Sequence, residues 1–436
     1  MVHHNRQTCD SASESRTAAA ALAFLIAFAT VVIITPAAKA QTFTVLYSFT
    51  DGTDGALPGA GMTVDRAGNL YGSTEYGGDL SCFGGGEGLP NGCGVLFREK
   101  KTGSGWLFDP IYIFPAKQSG YLSGYPGGLA IGPNGSLYGI TNEGGIQENG
   151  TVFNAAPPAM SNVLASWNYN LLLDFTGNDG AAPTRLDPLR FDSAGNVYGA
   201  ATYGGPDNDG VIYELTPSGG GWTESVLYSF TGGSDGEHIR GMTFDDQGNI
   251  YGVAAYGGNS DCEYGCGTVY KLTPSKSGWR KTTLHVFRQG IDGGWPGPLI
   301  RDKAGNLYGL TEAYGPDNNG GTVWELSPSH GGWTFSLLQA FPTSTVEDYG
   351  PYLLTMDGAG NLFGISNWGG AYTYGFLFEL TPSKGGWSYT DLYDFGVDYN
   401  ACVPQGAPIL DPAGNIYGVT EHCGEYGYGT VWEFTP

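Results

Sequence analysis

Residues 68–72 read Gly-Asn-Leu-Tyr-Gly, and this string or a close variant occurs seven times in the 436 residues. The aromatic residue of the string recurs at intervals of 53 to 67 residues, at Tyr71, Tyr138, Tyr198, Tyr251, Tyr308, Phe363 and Tyr417. Seven recurrences at such similar intervals indicate a repeat architecture in which each repeat is one supersecondary unit. The repeats fill residues 41–436, so the sequence predicts one domain and no second one.

Each repeat reads as four short β-strands, A to D. Strand A is typified by residues 61–65 and ends in a turn, Asp65 to Asn69, where Asp can accept bonds from the backbone and Gly supplies a positive φ. Strand B follows at 70–72. Strand C is typified by Gly-Thr-Val-Trp-Glu-Leu at 321–326, and a turn such as 216–221 joins it to a strand D such as 222–230. This pattern predicts an all-β fold.

The order of strands along the chain predicts how the fold closes. A Phe ends strand D in all seven repeats, at Phe49, Phe114, Phe175, Phe230, Phe287, Phe341 and Phe395. The first strand D precedes any strand A, whereas the last repeat stops at Pro436 before its own strand D. The N-terminal strand must therefore complete the last repeat, because two unpaired edges would otherwise be exposed.

We therefore predict a seven-bladed β-propeller of four-stranded blades, whose last blade is closed by the N-terminal strand. The alternative is an open β-solenoid, which would need capping repeats instead of a half-repeat at each end.

The composition excludes several classes of partner. The chain has 19 Lys and Arg against 42 Asp and Glu, a formal net charge of −23, and no basic cluster. This balance argues against nucleic acid and against an anionic membrane as partners. The 14% of aromatic residues also argues against a disordered chain.

The first forty residues have the pattern of a secretory signal peptide. Arg6 and Arg16 precede an apolar run over 18–34, and Ala-Lys-Ala at 38–40 offers a cleavage site. Cleavage would leave residues 41–436 as a mature monomer in the extracellular space or the periplasm, not inserted in a membrane. The alternative is an uncleaved N-terminal anchor, because the apolar run is near the lower length limit of a spanning helix.

Two longer strings in the repeat point to a known family. Gly-Asn-Leu-Tyr-Gly-x-Thr-x-Tyr-Gly-Gly is followed by Gly-Thr-Val-Phe/Trp-Glu-Leu-Thr-Pro. Over residues 42–436 these strings resemble the bacterial choice-of-anchor tandem-repeat proteins called GloVer. The resemblance implies secretion and a surface-associated role. It implies no reaction, so no catalytic residue is carried over.

The B–C and D–A loops, which share one face of a propeller, differ between the repeats. The A–B and C–D turns on the opposite face are nearly uniform. Variable loops on a rigid scaffold commonly carry binding residues. We therefore expect the functional site on the B–C/D–A side, called here the loop face.

Six cysteines follow the signal peptide and fall as local pairs in these loops. The predicted disulfides are Cys82–Cys93, Cys262–Cys266 and Cys402–Cys423, as expected in an exported protein. A zinc site is the alternative, but it needs four clustered ligands, and no His accompanies the first two pairs. We predict no metal and no cofactor.

The aromatic residue of the recurring Gly-Asn-Leu-Tyr-Gly string is called here the repeat aromatic. Another aromatic residue often stands five positions after it, at Tyr76, Tyr203, Tyr256 and Trp368. We expect these side chains to gather near the mouth of the central channel, where flat rings could stack on sugars. This arrangement favours a secreted, non-catalytic propeller that binds an extracellular ligand, a glycan above all. The alternative is that the rings pack between the blades as ordinary core.

Carboxylates stand one position earlier, and two of them, Glu75 and Glu421, belong to neighbouring repeats. A carboxylate pair is what glycoside hydrolysis requires. An extracellular glycan-active hydrolase or lyase is therefore the alternative function, and a structural envelope component is the third hypothesis. The sequence contains no Gly-x-Ser-x-Gly elbow, P-loop or two-His helix motif.

Overall fold

The computed structural model describes residues 41–82, 89–116, 124–158, 167–317, 320–342 and 353–436. The predicted signal peptide, residues 1–40, lies outside the described residues. Thr42–Pro436 forms one compact unit. Within the described ranges, no helix is both long enough and apolar enough to cross a membrane.

Seven antiparallel sheets form a ring, and we number them as blades 1 to 7. The chain begins with β1 (Thr42–Ser48). Blade 1 contains β2 (Thr63–Val64), β3 (Leu70–Thr74), β4 (Val95–Thr102) and β5 (Gly105–Ile113). Blade 2 contains β6 (Ala130–Ile131), β7 (Leu137–Thr141), β8 (Thr151–Ala156) and β9 (Asn168–Asp174). Blade 3 contains β10 (Ala181–Pro183), β11 (Arg190–Phe191), β12 (Val197–Tyr203), β13 (Val211–Ser218) and β14 (Gly221–Ser229).

The remaining blades repeat the arrangement. Blade 4 contains β15 (Glu237–Phe244), β16 (Ile250–Tyr256), β17 (Thr268–Ser275) and β18 (Gly278–Val286). Blade 5 contains β19 (Gly294–Pro296), β20 (Ile300–Arg301), β21 (Leu307–Ala313), β22 (Thr322–Ser329) and β23 (Gly332–Ala340). Blade 6 contains β24 (Leu353–Met356), β25 (Leu362–Ser366), β26 (Phe376–Ser383) and β27 (Gly386–Asp394). Blade 7 contains β28 (Cys402–Leu410), β29 (Ile416–His422), β30 (Thr430–Thr435) and β1. Two short 3-10 helices, Gly233–Asp235 and Val397–Tyr399, lie in the loops before blades 4 and 7.

The N-terminal strand closes the ring, as predicted. In blades 1 to 6 the sheet order follows the chain, whereas blade 7 has the order β28-β29-β30-β1. Strand β1 runs antiparallel to β30, with Thr42 opposite Thr435 and Ser48 opposite Thr430. In blades 3 and 5, strand A is divided into two pieces that both pair with strand B.

Neighbouring blades are joined by hydrophobic clusters that contain the repeat aromatics. Tyr71 of blade 1, for example, packs edge-on against Trp167 of blade 2, with ring centroids 5.9 Å apart. The position after the repeat aromatic requires glycine for steric reasons. A Cβ on Gly309 would lie 2.3 Å from the indole of Trp324 in strand C, so this position leaves no room for a side chain.

The outer strands of several neighbouring blades are also linked by parallel ring stacks. Phe43 in β1 stacks on Tyr393 of blade 6 at 4.0 Å, and Tyr47 in the same strand stacks on Phe108 of blade 1 at 3.8 Å. Aromatic pairs add about 0.5–1.5 kcal/mol beyond the area that they bury. The closing strand is therefore fixed by side chains on both of its neighbours as well as by its ladder with β30.

The Asp at the A–B turn acts as the sequence predicts. Asp65 Oδ1 accepts bonds from the backbone N–H groups of Ala67 and Asn69, while Oδ2 accepts from the Asn69 amide and the Tyr71 hydroxyl. Burial alone would raise the pKa of Asp65, but these bonds lower it below its ordinary value. The same pattern of bonds recurs at Asp192, Asp245 and Asp411.

Candidate functional site

A small polar cavity lies at the mouth of the central channel on the loop face. Its lining residues come from blades 2 to 5, where strand A begins and strand B ends, and its volume is about 170 Å³. They are Asn142, Thr184, Arg185, Leu186, Thr202, His238, Arg240, Pro298 and Glu312. Four consecutive blades therefore contribute to one cavity.

Two ion pairs cross between blades at this mouth. Arg185 of blade 3 reaches Glu75 of blade 1, with Nη1 2.6 Å from Oε1. Arg240 of blade 4 pairs with Glu312 of blade 5 and donates to its Oε1. Burial raises the pKa of both carboxyls, and the charge of the paired arginine opposes this effect in each case. The mouth is thus rich in charge but nearly balanced.

The carboxylate pair named by the alternative enzymatic hypothesis is placed at this mouth. The negative charge of Glu421 contributes to the raised pKa of Glu75, after the larger effects of burial and Arg185. Glu421 itself accepts a bond from the Gln405 amide at 2.6 Å. The two carboxyls therefore have different partners: Arg185 for Glu75, and for Glu421 the Gln405 amide together with the His422 imidazole, whose Nε2 lies 3.8 Å from Oε1.

A row of aromatic rings extends from the cavity across blades 3 to 5. His238 lines the cavity and contacts the rings of Tyr203 and Tyr256, with centroids 5.1 and 4.6 Å away. Tyr256 in turn lies 5.5 Å from Tyr264 and 5.9 Å from Trp295. Trp295 contacts Tyr314 at 4.9 Å. We call these six residues the aromatic row.

The predicted ligand-binding aromatics are divided by the structure. Tyr203 and Tyr256 belong to the aromatic row, and Tyr203 is 44% exposed. Trp368 is 40% exposed but lies in blade 6, outside the row. Tyr76 is only 6% exposed and bonds to the Tyr125 hydroxyl, so its ring has the packed environment of the alternative interpretation.

Sequence reasoning missed a ring of residues with left-handed backbone at the start of strand A. Their φ angles lie between 37° and 61°, and they are Leu57, Tyr125, Ala182, His238, Trp295 and Val403. A left-handed backbone costs a residue with a Cβ about 1–2 kcal/mol. The backbone N–H of Trp295 donates to the Cys266 carbonyl of the preceding blade, and Val403 donates in the same way to Tyr374. Such bonds between blades fix the backbone while the side chain differs from blade to blade.

A sequence signal for this ring exists. Five of the six residues are followed by Pro, and the sixth, His238, is followed by Ile239. Strained backbone positions in proteins concentrate at functional sites. Two members of the ring, His238 and Trp295, are also members of the aromatic row, so strained backbone and the aromatic row coincide in blades 4 and 5.

All three predicted disulfides are present: Cys82–Cys93, Cys262–Cys266 and Cys402–Cys423. Disulfides of this kind indicate an oxidising compartment, either extracellular or periplasmic. The Cys262–Cys266 loop also supports the aromatic row, because its Glu263 carbonyl accepts from the Trp295 indole N–H at 3.2 Å. Among the described residues, no group of His, Cys, Asp and Glu could hold a metal ion.

Comparisons with known proteins agree with the fold. The chain matches the model of the Gloeobacter/Verrucomicrobia repeat over residues 125–356 and 299–436. Virginiamycin B lyase from Staphylococcus aureus is similar in structure, with 12% identity, a TM-score of 0.53, and coverage of 91% of this chain and 99% of the lyase. A streptogramin B lyase has 10% identity and a TM-score of 0.55, covering 91% of this chain and 97% of that one. No curated protein sequence matches the chain.

Identity this low shows the fold alone, so neither lyase transfers its reaction to this chain. The sheets and the repeats define the class of protein: a seven-bladed β-propeller built from tandem repeats. Within that class, the model match covers more than half of the chain and shows that it belongs to the Gloeobacter/Verrucomicrobia (GloVer) repeat family.

Proposed function

We propose that this protein is a secreted, non-catalytic binding module that holds an extracellular glycan on its loop face. The observation that carries the proposal is the aromatic row, in which partly or largely exposed rings from three blades adjoin one polar cavity. Flat rings beside hydroxyl, amide and charged groups suit a ligand with apolar faces and polar edges. Sugars have this character.

The electrostatics of the mouth support a neutral glycan. Arg185 and Arg240 each already have a carboxylate partner, and the whole chain carries a net charge of −23. Burial, followed by the charge of Arg240, lowers the pKa of His238 to about 4, so its imidazole is neutral under ordinary conditions. An anionic sugar would have to approach a negative protein and compete with Glu75 and Glu312.

A glycan array followed by titration calorimetry tests the proposal on residues 41–436. Tyr256→Ala and Trp295→Ala should each weaken binding about tenfold or more, the equivalent of about 1.4 kcal/mol. Trp368→Ala is the matched control, because this exposed ring in blade 6 lies outside the row. Equal losses in all three variants, or losses only in the control, would contradict the proposed location.

A second candidate function rests on the two neighbouring carboxyls. Glu75 is buried with a raised pKa, whereas Glu421 has an amide partner, and carboxyls in different environments can divide the roles of acid and base. Polysaccharide cleavage by the parent that stops in both Glu75→Gln and Glu421→Gln would favour a hydrolase or lyase. A protein that neither binds nor cleaves glycans fits a structural envelope component.

A further inference from the structure

We infer that the site recognises the end of a neutral glycan chain, with the terminal sugar in the cavity and the following units on the aromatic row. This inference rests on the proposed function and adds the part of the polymer that is bound. It follows from the size of the cavity, its polar lining and the longer arm of the aromatic row, which runs from His238 through Tyr256 and Trp295 to Tyr314.

The cavity has the dimensions of a site for one small unit. Its volume of about 170 Å³ is below the range of about 300–1,000 Å³ that is usual for pockets of drug-sized ligands. It is formed where strands from four blades meet around the channel, so the walls continue on several sides. A sugar inside the chain would need both of its neighbours to leave through the same opening, whereas a terminal sugar has only one neighbour.

The polar lining can recognise several hydroxyl groups at once. Arg185 and Arg240 supply donors, Glu312 supplies acceptors, and the side chains of Asn142 and Thr202 can do both. The paired charges leave no large net charge toward the cavity, because the two arginines face Glu75 and Glu312. A neutral polyhydroxyl unit therefore fits this lining better than an ionised one.

The aromatic row provides the path for the rest of the chain. His238 belongs to both features, since it lines the cavity and contacts Tyr203 and Tyr256. Beyond Tyr256 the rings continue through Trp295 to Tyr314 over blade 5. A sugar chain that begins in the cavity can thus continue over the partly exposed rings of Tyr256, Trp295 and Tyr314.

Chain-end binding is tested by counting binding sites on polymers of different length. Long and short fractions of the linear, neutral polysaccharides amylose, pullulan and inulin are titrated with the parent protein at equal polysaccharide mass. The number of sites per gram should be inversely proportional to chain length. An equal number of sites per gram in both fractions would overturn the inference while leaving glycan binding intact, whereas no binding to any fraction or to the array would refute the proposed function itself.

A variant that fills the cavity provides an independent arm. Thr202→Trp places a ring in the cavity and leaves every member of the aromatic row in place, so binding of long and short fractions should be lost together. Undiminished binding of the long fraction by this variant would show that the row alone holds the polymer and would overturn the inference. If the variant does not fold, as judged by its melting curve, the count of sites on the parent decides the question.

Discussion

Glu99 occupies a position in strand C that the other blades fill with apolar side chains. The equivalent residues are Ala155, Leu215, Leu272, Leu326, Leu380 and Phe434. Glu99 is only 1% exposed, and its Oε1 has no hydrogen-bond partner among the described residues. Burial raises the pKa of this carboxyl to about 8. We therefore predict that Glu99→Leu stabilises the fold, and that the gain grows with pH.

The size of this effect follows from the two pKa values. The unfolded chain ionises near the ordinary value of 4.5, whereas the folded chain keeps the proton up to about 8. Between these values the folded state binds more protons, so the free energy of unfolding falls as the pH rises. At 1.36 kcal/mol for each pH unit, the loss by pH 8 is on the order of 5 kcal/mol. Leu has no proton to lose and removes this dependence.

The test is urea unfolding of the parent and of Glu99→Leu between about pH 5 and about pH 8. The difference between their free energies of unfolding isolates the contribution of Glu99, because most other groups titrate alike in both proteins. Glu99→Gln is the matched control: it keeps a polar group in the core but cannot ionise. Both variants should lack the part of the pH dependence that Glu99 contributes. A constant difference between the parent and Glu99→Leu over the whole range would refute the reasoning.

Three further predictions concern the scaffold. Ala182→Gly should raise the free energy of unfolding by about 1 kcal/mol, because glycine relieves the left-handed backbone; a lower melting temperature would contradict this. Gly309→Ala should cost about 1–3 kcal/mol, since the methyl group overlaps the indole beneath it, and unchanged stability in urea would show that the core yields. Phe43→Ala should speed amide hydrogen exchange in β30, because the stack of Phe43 on Tyr393 helps to hold β1, which no hairpin joins to β30. The control is Phe335→Ala in β23, a strand that a hairpin joins to β22; it loses a similar stack on His285 of blade 4 and should disturb β22 less. Equal effects of the two variants would argue against a special role for the closing strand β1.

The sequence by itself determined the architecture, because the fold is written in local patterns that recur. The repeat aromatic marks strand B, the Asp turn ends strand A, and the Phe that ends strand D reveals that the first strand belongs to the last blade. The disulfides were equally accessible, since each pair lies within one loop or on adjoining strands. These features depend on short stretches of chain, where spacing and residue type are sufficient.

Only the tertiary structure decided which residues form the site. Tyr76 and Tyr203 stand at the same position of their repeats, yet one is buried beside Tyr125 and the other is exposed, because their neighbours come from different blades. The contact between Arg185 and Glu75 joins residues two blades apart, which no local pattern indicates. Closing the ring brings such residues to one mouth, so the chemistry of the site depends on long-range geometry that the repeat pattern does not contain.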